Sequence, residues 1–206
     1  MAEPLKNLPQ PTEREPLHAR RYDFRGYRRV DGLFDIEGRM IDTKDYAFPN
    51  EWRGIVEPGN PVHDMIIRLT LDDQFTVCDI AVVTAASPFD ICADITPAFK
   101  TLKGAIIDKG WSRTLRNQFS GAHGCTHHVE MLRAMGTVAF QTIYGYREEA
   151  KRDAGIIQRD TSQTKVAPDQ KPDFLDACHA LASDGEVVRA HWPQFYEPAA
   201  TEKKSD

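Results

Sequence analysis

The clearest alternation of apolar and polar positions in the chain runs through His63–Thr84. Met65, Ile67, Leu69 and Leu71 alternate with Ile66, Arg68 and Thr70, which predicts a strand with one apolar face. Asp72-Asp73-Gln74 predicts a turn. Phe75, Val77, Ala81 and Val83 then share one parity of a return strand, with Thr76, Cys78, Ile80 and Val82 on the other. A weaker alternation occupies residues 22–46, where Val30, Phe34 and Ile36 share a parity and Asp31 and Asp35 fall on the other. Asp31-Gly32 and Glu37-Gly38 read there as a bulge and a turn. Three antiparallel strands with one apolar face require a covering layer.

Helical periodicity supplies that layer. Val129, Leu132, Gly136, Ala139, Phe140 and Ile143 recur at intervals of three and four, predicting a helix over about Thr126–Tyr144. Trp111–Phe119 reads as a short amphipathic helix. Before it, Thr96 suits an N-cap, Pro97 a first helical position and Gly104 a C′ position, with Phe99 and Leu102 turned to the sheet. Residues 47–62 carry three prolines and two glycines and read as an irregular loop anchored by Trp52. The expected fold is α+β. It has a three-stranded antiparallel sheet covered on one face by helices, with a short C-terminal appendage. The expected organisation is a flexible arm (1–20), a core domain (21–146), a polar linker (147–172), a C-terminal segment packing on the core (173–196) and a disordered tail (197–206). Within the C-terminal segment Asp173–Ala182 reads as helix-like and Glu186–Ala190 as extended.

Composition narrows the function classes. The 206 residues carry a net charge of −5, which gives no reason to expect nucleic acid or an anionic membrane as partner. No apolar run approaches the roughly 18 residues of a membrane span. MAEPLKNLPQPTEREP has no apolar core of a secretory signal, so a cytoplasmic location is expected. Cys78, Cys92, Cys125 and Cys178 match no zinc-ribbon or CxxC spacing and read as free thiols, Cys78 and Cys178 being core residues. GxGxxG, P-loop and GxSxG patterns are all missing, so no cofactor is expected.

The candidate chemistry concentrates around Gly121–His127, a glycine-rich loop that feeds the long helix. Cys125 and His127 stand at its start, where free N–H groups and the helix dipole favour negative charge. His128 points away from His127, because neighbours in a helix do not share a face, and reads as a bystander. His63 and Asp64 open the central hairpin with side chains on opposite sides of the strand. A histidine with a nearby carboxylate makes a good general base. Asp90 and Cys92 precede the first helix. Arg25, Arg28 and Arg29 with Tyr22 and Tyr27 form a cluster suited to an anionic group, and Tyr46 and Trp52 are candidate pocket walls. His63, Asp64, His123, Cys125 and His127 are all ligand types that suit zinc or iron, yet His123-x-Cys125-x-His127 is too compressed for a closed site, and no metal is expected.

Several separated motifs together resemble the bacterial DUF2889 family over roughly residues 22–195. They are Pro61-Val62-His63-Asp64-Met65, Ser87-Pro88-Phe89-Asp90-Ile91-Cys92, Leu102-Lys103-Gly104, Gly124-Cys125-Thr126-His127 and Asp176-Ala177-Cys178-His179-Ala180. The resemblance implies a common fold and, through an association with catabolism of lignin-derived aromatics, a small aromatic substrate. A weaker resemblance links the order of elements to iron–sulfur scaffold proteins of the NifU/IscU type. There Cys125 stands at one thiolate position, while Val62 and Pro88 stand at the other two. That likeness implies a SufE/NifU-like sandwich and convergence of His63, Asp64, Asp90, Cys92, Cys125 and His127 at one end of the sheet.

The expected function is a cofactor-independent acid–base enzyme, a carbon–carbon lyase of retro-aldol or elimination type. Loss of formaldehyde from a lignin-derived aromatic is one example. His63, Asp64, Cys125 and His127 are the expected catalytic residues. Tyr27, Arg28, Tyr46, Trp52, Asp90 and Cys92 are the expected substrate contacts. The alternative is a non-catalytic metal- or sulfur-binding module. Whether the chain forms a homo-oligomer is left open.

Overall fold

The computed structural model describes residues 8–9, 11–155, 171–172 and 174–198. The chain divides into two compact units, Met1–Tyr146 and Arg147–Asp206. The described residues of the first unit hold strands β1 (His18–Arg28), β2 (Phe34–Lys44), β3 (Phe48–Asn50), β4 (Gly54–Val56), β5 (Pro61–Leu71) and β6 (Val77–Ala86). Among the described residues there is a four-stranded antiparallel sheet in the order β1-β2-β5-β6, and a separate ribbon of β3 and β4.

The sheet has one strand more than expected. β1 begins at His18, inside the stretch expected to be an arm. Its sequence, HARRYDFRGYR, carries charge on both faces and so lacks the alternation that marks a half-buried strand. Charged residues on an edge strand also blunt unwanted pairing with other chains. Asp31-Gly32 is the β1–β2 turn, with Gly32 at φ +89°. Glu37-Gly38 lies mid-strand instead of turning the chain. Gly38 stands opposite Phe24 in register, and a Cβ there would come within 2.8 Å of the Phe24 ring. The glycine makes room for the aromatic.

β5 places Met65, Ile67, Leu69 and Leu71 on the buried face as expected. β6 changes phase. Thr70 pairs with Asp79 but Leu71 pairs with Val77, so Cys78 is an extra residue, a bulge. Val77 is therefore buried, and after the bulge Ile80 and Val82 take over the core face from Ala81 and Val83. Phe75 belongs to the turn, at φ +64°.

Residues Asp90–Leu102 form a run of 3-10 turns, where a helix starting at Thr96 was expected. Pro97 lies inside it, and the Thr96 hydroxyl donates to the Ala93 carbonyl instead of capping. Phe99 and Leu102 are nonetheless buried, and Gly104 has φ +86°, as the apolar pattern and the glycine suggest. Helix α1 is Trp111–Phe119, as expected. Helix α2 runs Thr126–Asp153, past the expected end at Tyr144. The start of the expected linker is thus helical, carried by the i,i+3 pairs Glu148–Lys151 and Glu149–Arg152. Its remainder, residues 156–170, lies outside the described residues, as does most of the expected tail and part of the arm.

The core is built from Phe34, Ile36 and Met40 on β2, the four β5 residues, Phe99, Leu102, Trp111 and Leu115, and Leu132, Met135, Ala139 and Ile143 of α2. The Trp111 indole donates to the Leu132 carbonyl at 2.8 Å, which holds α1 to α2. Helix α2 also lies close over β1. A Cβ on Gly26 would overlap Thr142 Oγ1 and fall 2.6 Å from its Cγ2 and 2.7 Å from its Cβ. Gly26→Ala is expected to destabilise the protein by about 1–3 kcal/mol, the usual scale of overpacking. Thr142→Ala removes the two nearest atoms but leaves the Cβ, so it should recover only part of the loss. Urea melts of the two single variants and the double variant check this; a neutral Gly26→Ala would refute the close approach.

In the second unit Leu175 and Val188 are buried. Glu186–His191 is helix α3, where an extended segment was expected. The helix-like reading before it reduces to a 3-10 turn at His179–Leu181, and Cys178 is exposed, not a core residue. Asp176 organises this loop by accepting from the Ser183 N–H at 2.8 Å and hydroxyl at 2.7 Å.

Candidate active site

The apolar stripe on the inner face of β2 reads Phe34, Ile36, Gly38, Met40 and then Asp42, and all five are buried. On β5 the same face reads Leu71, Leu69, Ile67, Met65 and then His63. At one end of the sheet the stripe thus turns polar on both strands. Asp42 and His63 stand opposite each other in register. Helix α2 begins over this end and brings His127 in its first turn. The His63 and His127 rings lie 4.0 Å apart between centroids with a 38° tilt. Cys125, just before the helix, puts its sulfur 3.8 Å from His127 Nδ1.

Asp42 is the hub. Arg20, its register partner on β1, grips both carboxylate oxygens, with Nε and a terminal nitrogen each at 2.7 Å. His18 Nε2 lies 3.2 Å from Oδ1 and His63 Nδ1 lies 3.0 Å from Oδ2. The remaining Arg20 nitrogen donates to Glu130 of α2 at 3.1 Å, and the Tyr22 hydroxyl donates to the same oxygen at 3.2 Å. Glu130 is half exposed, so Glu130→Gln is expected to cost at most about 1 kcal/mol, as for surface ion pairs. A thermal melt checks it, and a larger loss would mean that this tie carries more of the β1–α2 contact than its exposure implies.

Burial pushes the Asp42 carboxyl upward, but the Arg20 hydrogen bonds and charge, with His63 and His18, outweigh it and hold the carboxyl at about 2. Asp42 is therefore ionised and can only accept hydrogen bonds. It follows that His63 Nδ1 and His18 Nε2 carry the protons in these two contacts, which leaves His63 Nε2 with a bare lone pair. Burial and the neighbouring His127 push the His63 pKa down against the pull of Asp42. Burial and then Arg20 do the same to His127. Both imidazoles are neutral at pH 7 and able to accept a proton.

Of the residues expected to be catalytic, His63, Cys125 and His127 come together. Asp64 does not. Strand alternation sends it to the outer face, where Arg39 holds both its oxygens at 2.9 and 2.7 Å. The carboxylate beside His63 is Asp42. The expected substrate contacts have other partners. Tyr27 lines a shallow hollow on the outer face with Arg25, Arg39 and Arg68. Arg28 sits at the other end of β1, opposite Phe34, with its guanidinium 4.8 Å from the centre of the Tyr146 ring. Tyr46 carries the Lys44 ammonium over its ring. The Trp52 indole donates to the Pro88 carbonyl at 3.0 Å, which fastens the β3–β4 ribbon. Asp90 and Cys92 open the 3-10 run and are not among the clustered side chains. His123 is exposed. His128 does turn away from His127, but into the core. It is fully buried, 3.4 Å from the Val83 carbonyl and edge-on to Phe99, and burial pushes its pKa down to about 4.

The sequence reading missed His18, Arg20, Asp42 and Glu130. Asp42 did carry a signal, since it continues the parity of Phe34, Ile36 and Met40, and a carboxylate in phase with a core stripe needs partners. Arg20 and His18 fall in residues 1–20, where the sequence predicts an arm.

A family model described as "Protein of unknown function (DUF2889)" matches residues 18–141. The chain belongs to the DUF2889 family. The matched region of this DUF2889 protein begins at the first residue of β1 and ends within α2, so it contains every residue of the Asp42 cluster. The Asp176–Ala180 motif falls outside it. No curated protein and no solved structure gives a significant match. With four strands in the sheet and no structural match, the NifU-like sandwich is not supported. No helix among the described residues is long and apolar enough to cross a membrane.

Proposed function

We propose that this DUF2889 protein is an acid–base enzyme, a carbon–carbon lyase that releases a small aldehyde such as formaldehyde from a lignin-derived aromatic alcohol. The observation that carries the reading is the register pair Asp42–His63 beneath His127. A buried, ionised carboxylate fixes the His63 tautomer and bares Nε2. In the proposed step Nε2 takes the proton of the substrate hydroxyl. The oxygen electrons form the carbonyl of the departing aldehyde, and the carbon–carbon bond breaks with its electron pair going to the aromatic fragment. The His63 imidazolium, stabilised by Asp42, then returns the proton to that fragment, so protons and electrons balance. His127 lies against His63, with the ring centres 4.0 Å apart.

The test is a turnover assay on aromatic compounds bearing a hydroxymethyl group next to the benzylic carbon, with formaldehyde as readout. Release by the wild-type chain that fails in His63→Ala and His127→Ala supports the reading. Normal turnover by both variants ends it.

A further inference from the structure

We propose that Asp42, His63 and His127 also form a binding site for one divalent ion of the zinc class. One ligand atom from each of the three lies within 4.8 Å of the others. Bonds of about 2.0–2.2 Å to imidazole and carboxylate set donor atoms roughly 3.4 Å apart around a tetrahedral ion. The 3.0 Å between His63 Nδ1 and Asp42 Oδ2 is already of that order, and a ring nitrogen of His127 lies within 4.8 Å of the other two donors. The three residues come from β2, β5 and the first turn of α2, elements whose spacing the core fixes.

Two imidazoles and one carboxylate select a borderline ion such as zinc, cobalt, nickel or ferrous iron over calcium and magnesium, which prefer all-oxygen shells. Arg20 and His18 hold Asp42 from behind, as outer partners hold metal-ligating carboxylates. Arg20 opposes a cation, but Glu130 shares its charge, so Asp42 and Glu130 together leave the charged groups of the cluster net negative. An ion on His63 Nδ1 displaces the proton held there, and the neutral ring then carries its proton on Nε2, the nitrogen that the substrate proton needs. A bound ion therefore blocks the proton transfer proposed above, although the binding itself does not depend on that reaction.

The experiment uses the full chain, stripped with chelator and titrated with Zn²⁺ by calorimetry and with Co²⁺ by visible absorption. One equivalent is expected to bind, with affinity reduced tenfold or more in Asp42→Asn, His63→Ala and His127→Ala and unchanged in His123→Ala. Circular dichroism establishes that each variant is folded. For any variant that is not folded, protection of His63 and His127 from diethyl pyrocarbonate by Zn²⁺ in the wild-type chain gives the same reading. Absence of stoichiometric binding, or unchanged affinity in folded His63→Ala and His127→Ala, overturns the site. Turnover by the stripped protein that Zn²⁺ inhibits agrees with both proposals. Turnover that requires the ion keeps the site and removes the metal-free mechanism.

Discussion

His63→Ala is expected to lower kcat/KM for the productive substrate by about 10²–10⁴-fold, the usual contribution of a positioned base. Asp42→Ala should fall in the same range, although Asp42 is a positioning residue. It acts through His63, whose tautomer it sets from 3.0 Å away. Two groups that act as one unit do not add. The double variant should therefore be no slower than His63→Ala alone, within about threefold. A double variant slower by the product of the two single losses would show that Asp42 acts on the reaction by some route other than His63. Adding imidazole separates chemistry from folding, because partial rescue of His63→Ala requires an intact pocket while Asp42→Ala still holds its own imidazole and should not respond.

The sheet was legible in the sequence where one face alone is buried. β5 shows this, since Met65, Ile67, Leu69 and Leu71 meet the core and Arg68 meets solvent. β1 was not legible as a separate strand, because Phe24 is the one apolar side chain it packs against the core, while Arg20 and Tyr22 meet Glu130 and Gly26 lies against Thr142. Neither interaction leaves a periodic trace. The Cys78 bulge was hidden for another reason. A single extra residue inverts the phase of everything after it, and Cys78 is neither glycine nor proline. The same reasoning divides the site. That His63 and Asp64 part company, and that His127 and His128 do, follows from local geometry alone. Which carboxylate then faces His63 depends on the pairing of β2 with β5, and Asp42 lies 21 residues away in the chain. That choice is set by register, a non-local quantity.

Arg20→Met is expected to lower the unfolding free energy by about 3 kcal/mol, the scale of breaking a buried ion pair. Asp42→Asn should cost less. The asymmetry follows from exposure. The Arg20 side chain is 31% exposed and can reach water when its partner is lost, whereas the Asp42 side chain is 3% exposed and would lose the only guanidinium that holds it. Urea unfolding at pH 7 measures both variants, and an equal or reversed order would contradict the argument. The pH dependence has a definite sign. The Asp42 carboxyl sits at about 2 in the folded chain and near 3.9 when unfolded. Its contribution is complete above the unfolded value and is lost as pH falls through 4 toward 2. Without Arg20, burial is opposed only by the histidines, the folded carboxyl rises, and that contribution shrinks or changes sign. Arg20→Met should therefore flatten the part of the acid-unfolding curve that Asp42 supplies. The consequence for chemistry is direct. A protonated Asp42 can donate, so it no longer compels His63 to carry its proton on Nδ1. Arg20 thus serves the proposed reaction without touching substrate, by keeping Asp42 an acceptor and His63 Nε2 bare. Histidine tautomer populations, read by nitrogen-15 NMR, should shift toward the Nε2-protonated form in Arg20→Met even where the fold survives.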